Sequence, residues 1–303
     1  MARTALLASL LASGLALHAQ TLYFPPNGST AWDTLSPASL GWCPDRIDSL
    51  IDFVGSRNTK AFLILKDGKI VIEHYYGTFT QDSLWYWASA GKTLTSMLTG
   101  IAQEEGYLDI NQPSSTYLGT GWTSCTPQQE AQITVRDQLT MTSGLDDGVP
   151  DDNCTDPACL QYLADAGTRW AYHNAPYTLL DEVIANATGT TFSNYFNTRI
   201  RNKVGMDGFW FSGGSPYNNV YYSRARSMAR YGLLALNHGV WANDTVLHDT
   251  AYFTAMTTPS QNLNDSYGYL WWLNGQPSFM VPDLQFVLPG MLMPDAPPDM
   301  ISG

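Results

Sequence analysis

The chain has 303 residues, of which 44% are hydrophobic and 13% aromatic, and its formal net charge is −12. This length and hydrophobic content suffice for one large hydrophobic core or two smaller ones. The acidic balance, without a basic stripe, argues against a nucleic-acid partner, because phosphate contacts need clustered lysine and arginine.

Residues 1–19 have the pattern of a secretory signal peptide. Arg3 precedes an apolar run from Ala5 to Leu17, and the small Ala19 precedes Gln20. A membrane anchor is the alternative, but an apolar run of about 13 residues is shorter than the roughly 20 that a membrane-spanning helix needs. We therefore expect cleavage, no stable membrane insertion afterwards, and a periplasmic or secreted protein.

The first third of the chain predicts a helix, a hairpin and a second helix. Apolar residues recur at helical spacing from Asp45 to Phe53. Residues 61–77 form two strand-like runs around Asp67-Gly68, a strong signal for an antiparallel hairpin. A helical pattern then extends from Ser89 to Glu105, so Ser89 is expected at or beside a helix N-terminus.

The rest of the chain predicts helices over 135–141, 177–187, 192–203 and 223–237, and strands over 267–274 and 279–288. This order is typical of an α+β chain in which a helical layer is inserted into a sheet-containing domain. We expect a sheet-containing half, residues 20–88 plus 240–303, and a mainly helical half, residues 89–239. No closing strand or helix is evident after the C-terminal proline-rich loop, which predicts a sheet that lacks its C-terminal strands.

Four cysteines in an exported protein favour disulfides over free thiols. We predict a bond between Cys154 and Cys159, which closes a short loop, and by elimination a bond between Cys43 and Cys125. A zinc site is the weaker alternative, because no Cys-x-x-Cys spacing occurs and the histidines are scattered.

Ser89 and Lys92 are candidates for a nucleophile and its base. Residues three apart share a helix face, so the amine can approach the hydroxyl. Burial and the positive helix N-terminus favour the neutral amine, and the same N-terminus directs backbone N–H groups at a developing oxyanion. The alternative is a capping serine beside a solvated lysine.

Tyr172 and Asn174 form a Tyr-x-Asn pair in a loop before an amphipathic helix. A tyrosine beside a Ser-Lys pair can relay a proton to a leaving group, and an asparagine can donate its amide to a substrate carbonyl. The pattern is weak alone, because it recurs at Tyr195/Asn197 and Tyr217/Asn219, where packing or turn formation is the simpler interpretation.

Three segments together, "SAGK" opening a helix, "ITVRDQLTMTSGL" about forty residues later, and "WAYHN", resemble the serine β-lactamase and penicillin-binding-protein superfamily. The nearest resemblance is to its class C-type branch of esterases and 6-aminohexanoate-dimer hydrolases. It implies a β-lactamase/transpeptidase-like fold, an antiparallel sheet with flanking helices and an inserted helical domain. It also implies Ser89 as acylated nucleophile, Lys92 as base, Tyr172 as proton relay and Asn174 as a substrate-binding residue.

Two departures from the family pattern stand out. Met141 occupies a position where the family usually has a non-catalytic histidine. The third motif, Lys- or His-Thr/Ser-Gly or a glycine-rich equivalent on a strand beside the site, is either the degenerate Ile301-Ser302-Gly303 or lies beyond it.

These features predict a serine hydrolase that cleaves a small ester or linear amide without a metal or other cofactor. A D,D-peptidase or a β-lactamase is the enzymatic alternative, and a non-catalytic ligand- or wall-binding protein is the alternative of another class. Three weaker features are also open. The acidic loop 145–156 could attract a substrate ammonium or bind Ca²⁺. His173 is expected to be a rim or structural side chain rather than a catalytic acid, and Trp271 and Trp272 are expected in a core or an acyl pocket.

Overall fold

The computed structural model describes residues 22–212 and 219–303. The predicted signal peptide lies outside the described residues, so its cleavage and the protein's destination stay predictions. Among the described helices, none is long and apolar enough to cross a membrane.

The first elements form an outer layer. Helix α1 (Pro44–Gly55) precedes strand β1 (Ala61–Lys66), which pairs antiparallel with β2 (Lys69–Tyr75), as the sequence predicts. Asp67 and Gly68 have φ of 53° and 81°, the geometry of a two-residue type I′ turn. No residue of α1 is buried, and β1 and β2 have no further named strand as a neighbour in the described chain.

Helix α2 (Gly91–Glu104) runs through the centre of the molecule. Strand β3 (Trp85–Tyr86) and a 3-10 turn (Ala88–Ala90) precede it, and every residue from Gly91 to Ala102 is buried. A helix that is covered on all sides belongs to a core rather than to a surface. The predicted helix is therefore confirmed, and Ser89 lies in the turn just before its first residue.

Shorter helices surround α2, and α7 and α11 pack directly against it. The predicted helical regions are confirmed in position, but 177–187 is split between two helices and 192–203 contains a π-helical turn. In chain order these elements are α3 (Ser115–Leu118), α4 (Pro127–Glu130), α5 (Val135–Thr140), α6 (Asn174–Thr178), α7 (Leu180–Thr188), α8 (Phe192–Phe196), the π turn (Asn197–Arg201), α9 (Asn202–Val204), α10 (Ala225–Leu236) and α11 (Thr250–Met256).

The remaining strands are short, and every pair of named strands is antiparallel. Strand β5 lies between β3 and β4, while the others form two-stranded pairs. They are β4 (Phe209–Ser212), β5 (Asn219–Ser223), β6 (Val240–Trp241), β7 (Asp244–Thr245), β8 (Trp272–Leu273), β9 (Ser278–Phe279), β10 (Leu288–Pro289) and β11 (Ile301–Ser302).

Neither C-terminal strand is continuous as predicted. In 267–274, Leu270 has a φ of 61°, and the chain turns so that Tyr267 bridges to Trp272. In 279–288, Pro282 and Asp283 (φ 66°) interrupt the run, which leaves β9 and β10 as a separate pair. Left-handed backbone and proline are incompatible with an uninterrupted strand.

A short strand does follow the proline-rich loop, which differs from the expectation that none closes the chain there. In β11, Ile301 lies opposite Leu273 and Ser302 opposite Trp272 of β8. The end of the described chain is thereby placed against the segment that contains Trp272.

Candidate active site

Ser89 is held at the surface by an anchored tryptophan on its N-terminal side. Trp87 is buried; its backbone N–H donates to the Tyr221 carbonyl (2.8 Å) and its indole N–H to the Ser223 hydroxyl (2.7 Å). Ala88 then adopts a left-handed φ of 48°, a conformation that costs an alanine about 1 kcal/mol. This sharp turn leaves the Ser89 side chain exposed above the first turn of α2.

Lys92 lies beneath Ser89 and is almost entirely buried, with 3% of its surface exposed. Its Nζ is 3.2 Å from Ser89 Oγ and forms no ion pair with a carboxylate of the described residues. Burial lowers the pKa of the Lys92 ammonium to about 8, with the charge of Asp152 opposing the effect. A neutral fraction of this amine therefore exists near neutral pH and can accept the Ser89 proton.

Tyr172 closes the site from the loop before α6. Its ring stacks on Trp272 with centroids 5.7 Å apart, and Lys92 Nζ lies 4.9 Å from its ring centroid. Burial raises the pKa of the phenol, while an interaction with Ser89 opposes that rise. The structure thus brings together the three residues that the sequence predicts for proton transfer, and the phenol stays protonated near neutral pH.

Asn174 begins α6 and contacts the acidic loop. Its Nδ2 donates to Oδ2 of Asp152 at 3.1 Å, and its buried Oδ1 has no partner among the described residues. The predicted donation to a substrate carbonyl would therefore have to use the second amide hydrogen.

Two residues beside the site, Tyr177 and Asp152, were not singled out from the sequence, although Asp152 belongs to the acidic loop 145–156. The Lys92 Nζ lies 4.5 Å from the ring centroid of buried Tyr177, and Asp152 reaches the site from a loop remote in sequence. Trp272 stacks on Tyr172, whereas the adjacent Trp271 is buried against Tyr231. Alternation along a strand could have separated the two tryptophans; nothing local in the sequence indicates the positions of Tyr177 and Asp152.

The end of the described chain forms another wall of the site. A Cβ atom at Gly303 would lie 2.7 Å from Cγ2 of Thr93 and 3.3 Å from Cα of Ala90, so Gly303 packs on the first turn of α2. Strand β11 thus leads into Gly303 beside Ala90, the residue after Ser89, and the family resemblance places the third motif on a strand next to the site.

One predicted disulfide is confirmed and the other is wrong. Cys154 and Cys159 are bonded, with Cα atoms 5.9 Å apart. Cys43 and Cys125 are both free thiols. Cys43 is exposed just before α1 in the outer layer, whereas Cys125 packs at the edge of a small cluster around Trp122, so the fold places them in separate regions.

The other residues considered from the sequence either have no contact with the Ser89–Lys92 pair or lie outside the described residues. Tyr195 is a core residue of α8 that donates to Glu105 (2.9 Å), and Tyr217 lies outside the described residues. His173 is buried, which agrees with the structural alternative and not with a position at the rim. Within 22–212 and 219–303, no group of three or more histidine, cysteine or acidic residues is arranged to hold a metal ion.

Comparison with known proteins shows the family. The family model described as Beta-lactamase matches residues 51–284, which include Ser89, Lys92, Tyr172 and Asn174. The match covers most of the chain, and the chain therefore belongs to this family.

Individual relatives are more distant. Over 186 residues the chain is 27% identical to the D-alanyl-D-alanine-carboxypeptidase/endopeptidase AmpH of Escherichia coli K12, a match that covers 54% of this chain and 48% of the relative. The chain thus spans about half the length of the curated relatives it matches.

Solved structures share the fold. One is a Bacillus anthracis protein provisionally named a 6-aminohexanoate-dimer hydrolase (TM-score 0.63, 20% identity, covering 77% of this chain and 70% of that one). Another is a penicillin-binding protein from Bacillus halodurans (TM-score 0.58, 19% identity, covering 74% and 83%). These likenesses establish the β-lactamase/transpeptidase-like α+β fold.

Proposed function

We propose that the protein is a serine hydrolase that works through an acyl-enzyme on Ser89. The observation that carries the proposal is an exposed hydroxyl 3.2 Å from a buried amine whose pKa is lowered to about 8. Lys92 takes the Ser89 proton as Oγ attacks the substrate carbonyl carbon, and Tyr172 passes a proton to the leaving group. Water then releases the acyl group.

We propose a small ester or linear amide as the substrate, in the manner of a carboxylesterase or a 6-aminohexanoate-dimer hydrolase. The aromatic wall of Tyr172 and Trp272 beside Ser89 offers apolar contact to a linear acyl chain, and the fold likeness to the Bacillus anthracis protein agrees with this choice. The sequence similarity to the Escherichia coli carboxypeptidase/endopeptidase favours a D,D-peptidase or β-lactamase as second candidate.

Covalent labelling tests the proposal against a non-catalytic binding protein with the same fold. Treatment with a fluorophosphonate, followed by mass spectrometry, is expected to place one adduct on Ser89, and Ser89→Ala should abolish it. A folded protein that takes no label would contradict the proposal. Turnover of a short-chain p-nitrophenyl ester, an aminohexanoate dimer and a D-Ala-D-Ala peptide then separates the enzymatic alternatives.

The acylation rate is expected to depend on pH through Lys92. The amine is a base only when it is uncharged, and burial lowers its pKa to about 8. The rate should therefore rise with pH and level off above that value, while the raised pKa of Tyr172 keeps the phenol protonated across this range. Stopped-flow measurement of fluorophosphonate labelling from pH 6 to pH 9.5 checks this; a rate that is flat or falls with pH would exclude Lys92 as the base.

A further inference from the structure

The acidic loop beside the site is fastened at two levels. At its base, Leu145 bridges to Tyr162 and the N–H of Asp146 donates to the Gln161 carbonyl at 2.8 Å. Nearer its tip, the Cys154–Cys159 disulfide closes the chain on itself. Asp152 lies between these fastenings, so its position over α6 is restrained from both sides.

Asp152 contacts the first turn of α6 through both backbone and side chain. Its carbonyl accepts the N–H of Ala175 (2.9 Å), and Oδ2 accepts Nδ2 of Asn174 (3.1 Å). Its other oxygen, Oδ1, accepts Nδ2 of Asn153 (2.7 Å). An ionised carboxylate can only accept, so Asn174 must turn its NH₂ group toward Asp152.

This orientation of the Asn174 carboxamide leaves its oxygen unpaired, and the hydrogen bond to Asp152 offsets that energetic cost. The Oδ1 atom of Asn174 is buried without a partner in the described part of the chain, although buried polar atoms in folded proteins are rarely left unpaired. A charge-assisted hydrogen bond is about twice as strong as one between neutral groups. The Asp152 carboxylate therefore holds the carboxamide in one orientation.

Two other carboxylates of this loop have partners of their own, and the neighbouring histidine is neutral near pH 7. Asp147 pairs with Arg169 at 2.6 Å, and the Asp146 carboxylate accepts the N–H of Gly148 at 2.9 Å. His173 is buried with both ring nitrogens unpartnered among the described residues, and burial lowers its pKa, so it is neutral near pH 7. Asp152, held beside the site by its hydrogen bond to Asn174, forms no ion pair with Lys92, so its charge raises the pKa of the buried amine from a longer distance.

We propose that Asp152 is a positioning residue for the reaction, fixing Asn174 from the loop side and stabilising the Lys92 ammonium that forms during acylation. This inference rests on the proposed function. As the bond between Ser89 Oγ and the substrate carbonyl carbon forms, the Oγ proton moves to Lys92 Nζ. A neighbouring carboxylate stabilises the resulting cation more than the neutral amine, which lowers the barrier.

The test compares two charge-neutralising substitutions in the same loop. The rate of fluorophosphonate labelling rises with pH. In Asp152→Asn, the midpoint of that rise is expected at a pH lower by about 0.5 to 1 unit, because the Lys92 ammonium loses a stabilising charge. The plateau rate is expected to fall about fivefold. Asp156→Asn, which alters an exposed side chain, should change neither quantity, and Asp152→Glu should recover part of the loss.

Two results would overturn the inference. If wild-type protein is labelled and the Asp152→Asn profile keeps the wild-type position with unchanged thermal stability, Asp152 does not act on the base. If wild-type protein is not labelled, the proposed function fails, and NMR titration of ¹³C-labelled lysine in the Ser89→Ala background decides instead. The pKa of Lys92 should then be lower with Asp152→Asn added, and an unchanged value would refute the electrostatic role.

Discussion

Replacing Lys92 with methionine should lower kcat/KM for a p-nitrophenyl ester by about 10³-fold, within the range that a general base contributes. Methionine keeps much of the lysine's length and is apolar, so it suits a side chain that is 3% exposed. Without the amine, Tyr172 is left beside Ser89, and its raised pKa keeps the phenol protonated and unable to take the Ser89 proton. Stability should not fall, because the substitution removes a buried group that must be desolvated to fold.

A matched control separates loss of the base from loss of any lysine. Lys66→Met changes a side chain that is 53% exposed and whose one ion-pair partner among the described residues is its neighbour Asp67. It should leave kcat/KM unchanged. Steady-state kinetics and thermal unfolding of both variants check the prediction, and wild-type turnover in Lys92→Met would assign the base to another residue.

The substitution Gly100→Ala is expected to destabilise the protein by about 2 kcal/mol. Gly100 lies inside α2, and a Cβ atom there would overlap the ring of Tyr252 in α11. That ring cannot swing aside freely, because its hydroxyl donates to the Ser96 carbonyl at 2.8 Å. Overpacking costs up to about 3 kcal/mol, and the better helix propensity of alanine returns about 1 kcal/mol of it.

A glycine-to-alanine substitution at a helix position with free space around it should stabilise the protein instead. Gly232 is exposed in α10, and no atom lies within 4 Å of the position that its Cβ would take. Gly232→Ala should therefore raise the free energy of unfolding by about 0.5 to 1 kcal/mol. Urea denaturation followed by circular dichroism measures both variants. A neutral or stabilising Gly100→Ala would show that α11 does not pack on α2 as described.

Features within a few residues of one another could be predicted from the sequence. The Asp67-Gly68 turn follows from the backbone conformations that its two residues tolerate, and the Ser89–Lys92 contact follows from their spacing at the start of a helix. The same is true of the Cys154–Cys159 bond, because its two residues are only five apart. Tyr172 needed the family resemblance, because Tyr-x-Asn occurs three times in the chain and local pattern cannot choose among them.

Features that depend on distant packing were not predictable from local pattern. The apolar segments near the C-terminus predict long strands, yet the left-handed backbone at Leu270 and Asp283 breaks them into short pairs. Only the break at Pro282 had a local signal in the sequence. Cys43 and Cys125 are a pair only by elimination, and the fold places them in separate regions.

The amino-acid sequence alone determined the family motifs, the hairpin and the helix that presents Ser89, because each depends on backbone preferences and side-chain spacing within a few residues. The tertiary structure alone decided the depth at which Lys92 is buried, the aromatic rings of Tyr172 and Tyr177 around it, and the approach of Asp152. The pKa of the lysine follows from that environment, since desolvation and neighbouring charge are set by residues that meet only when the chain has folded.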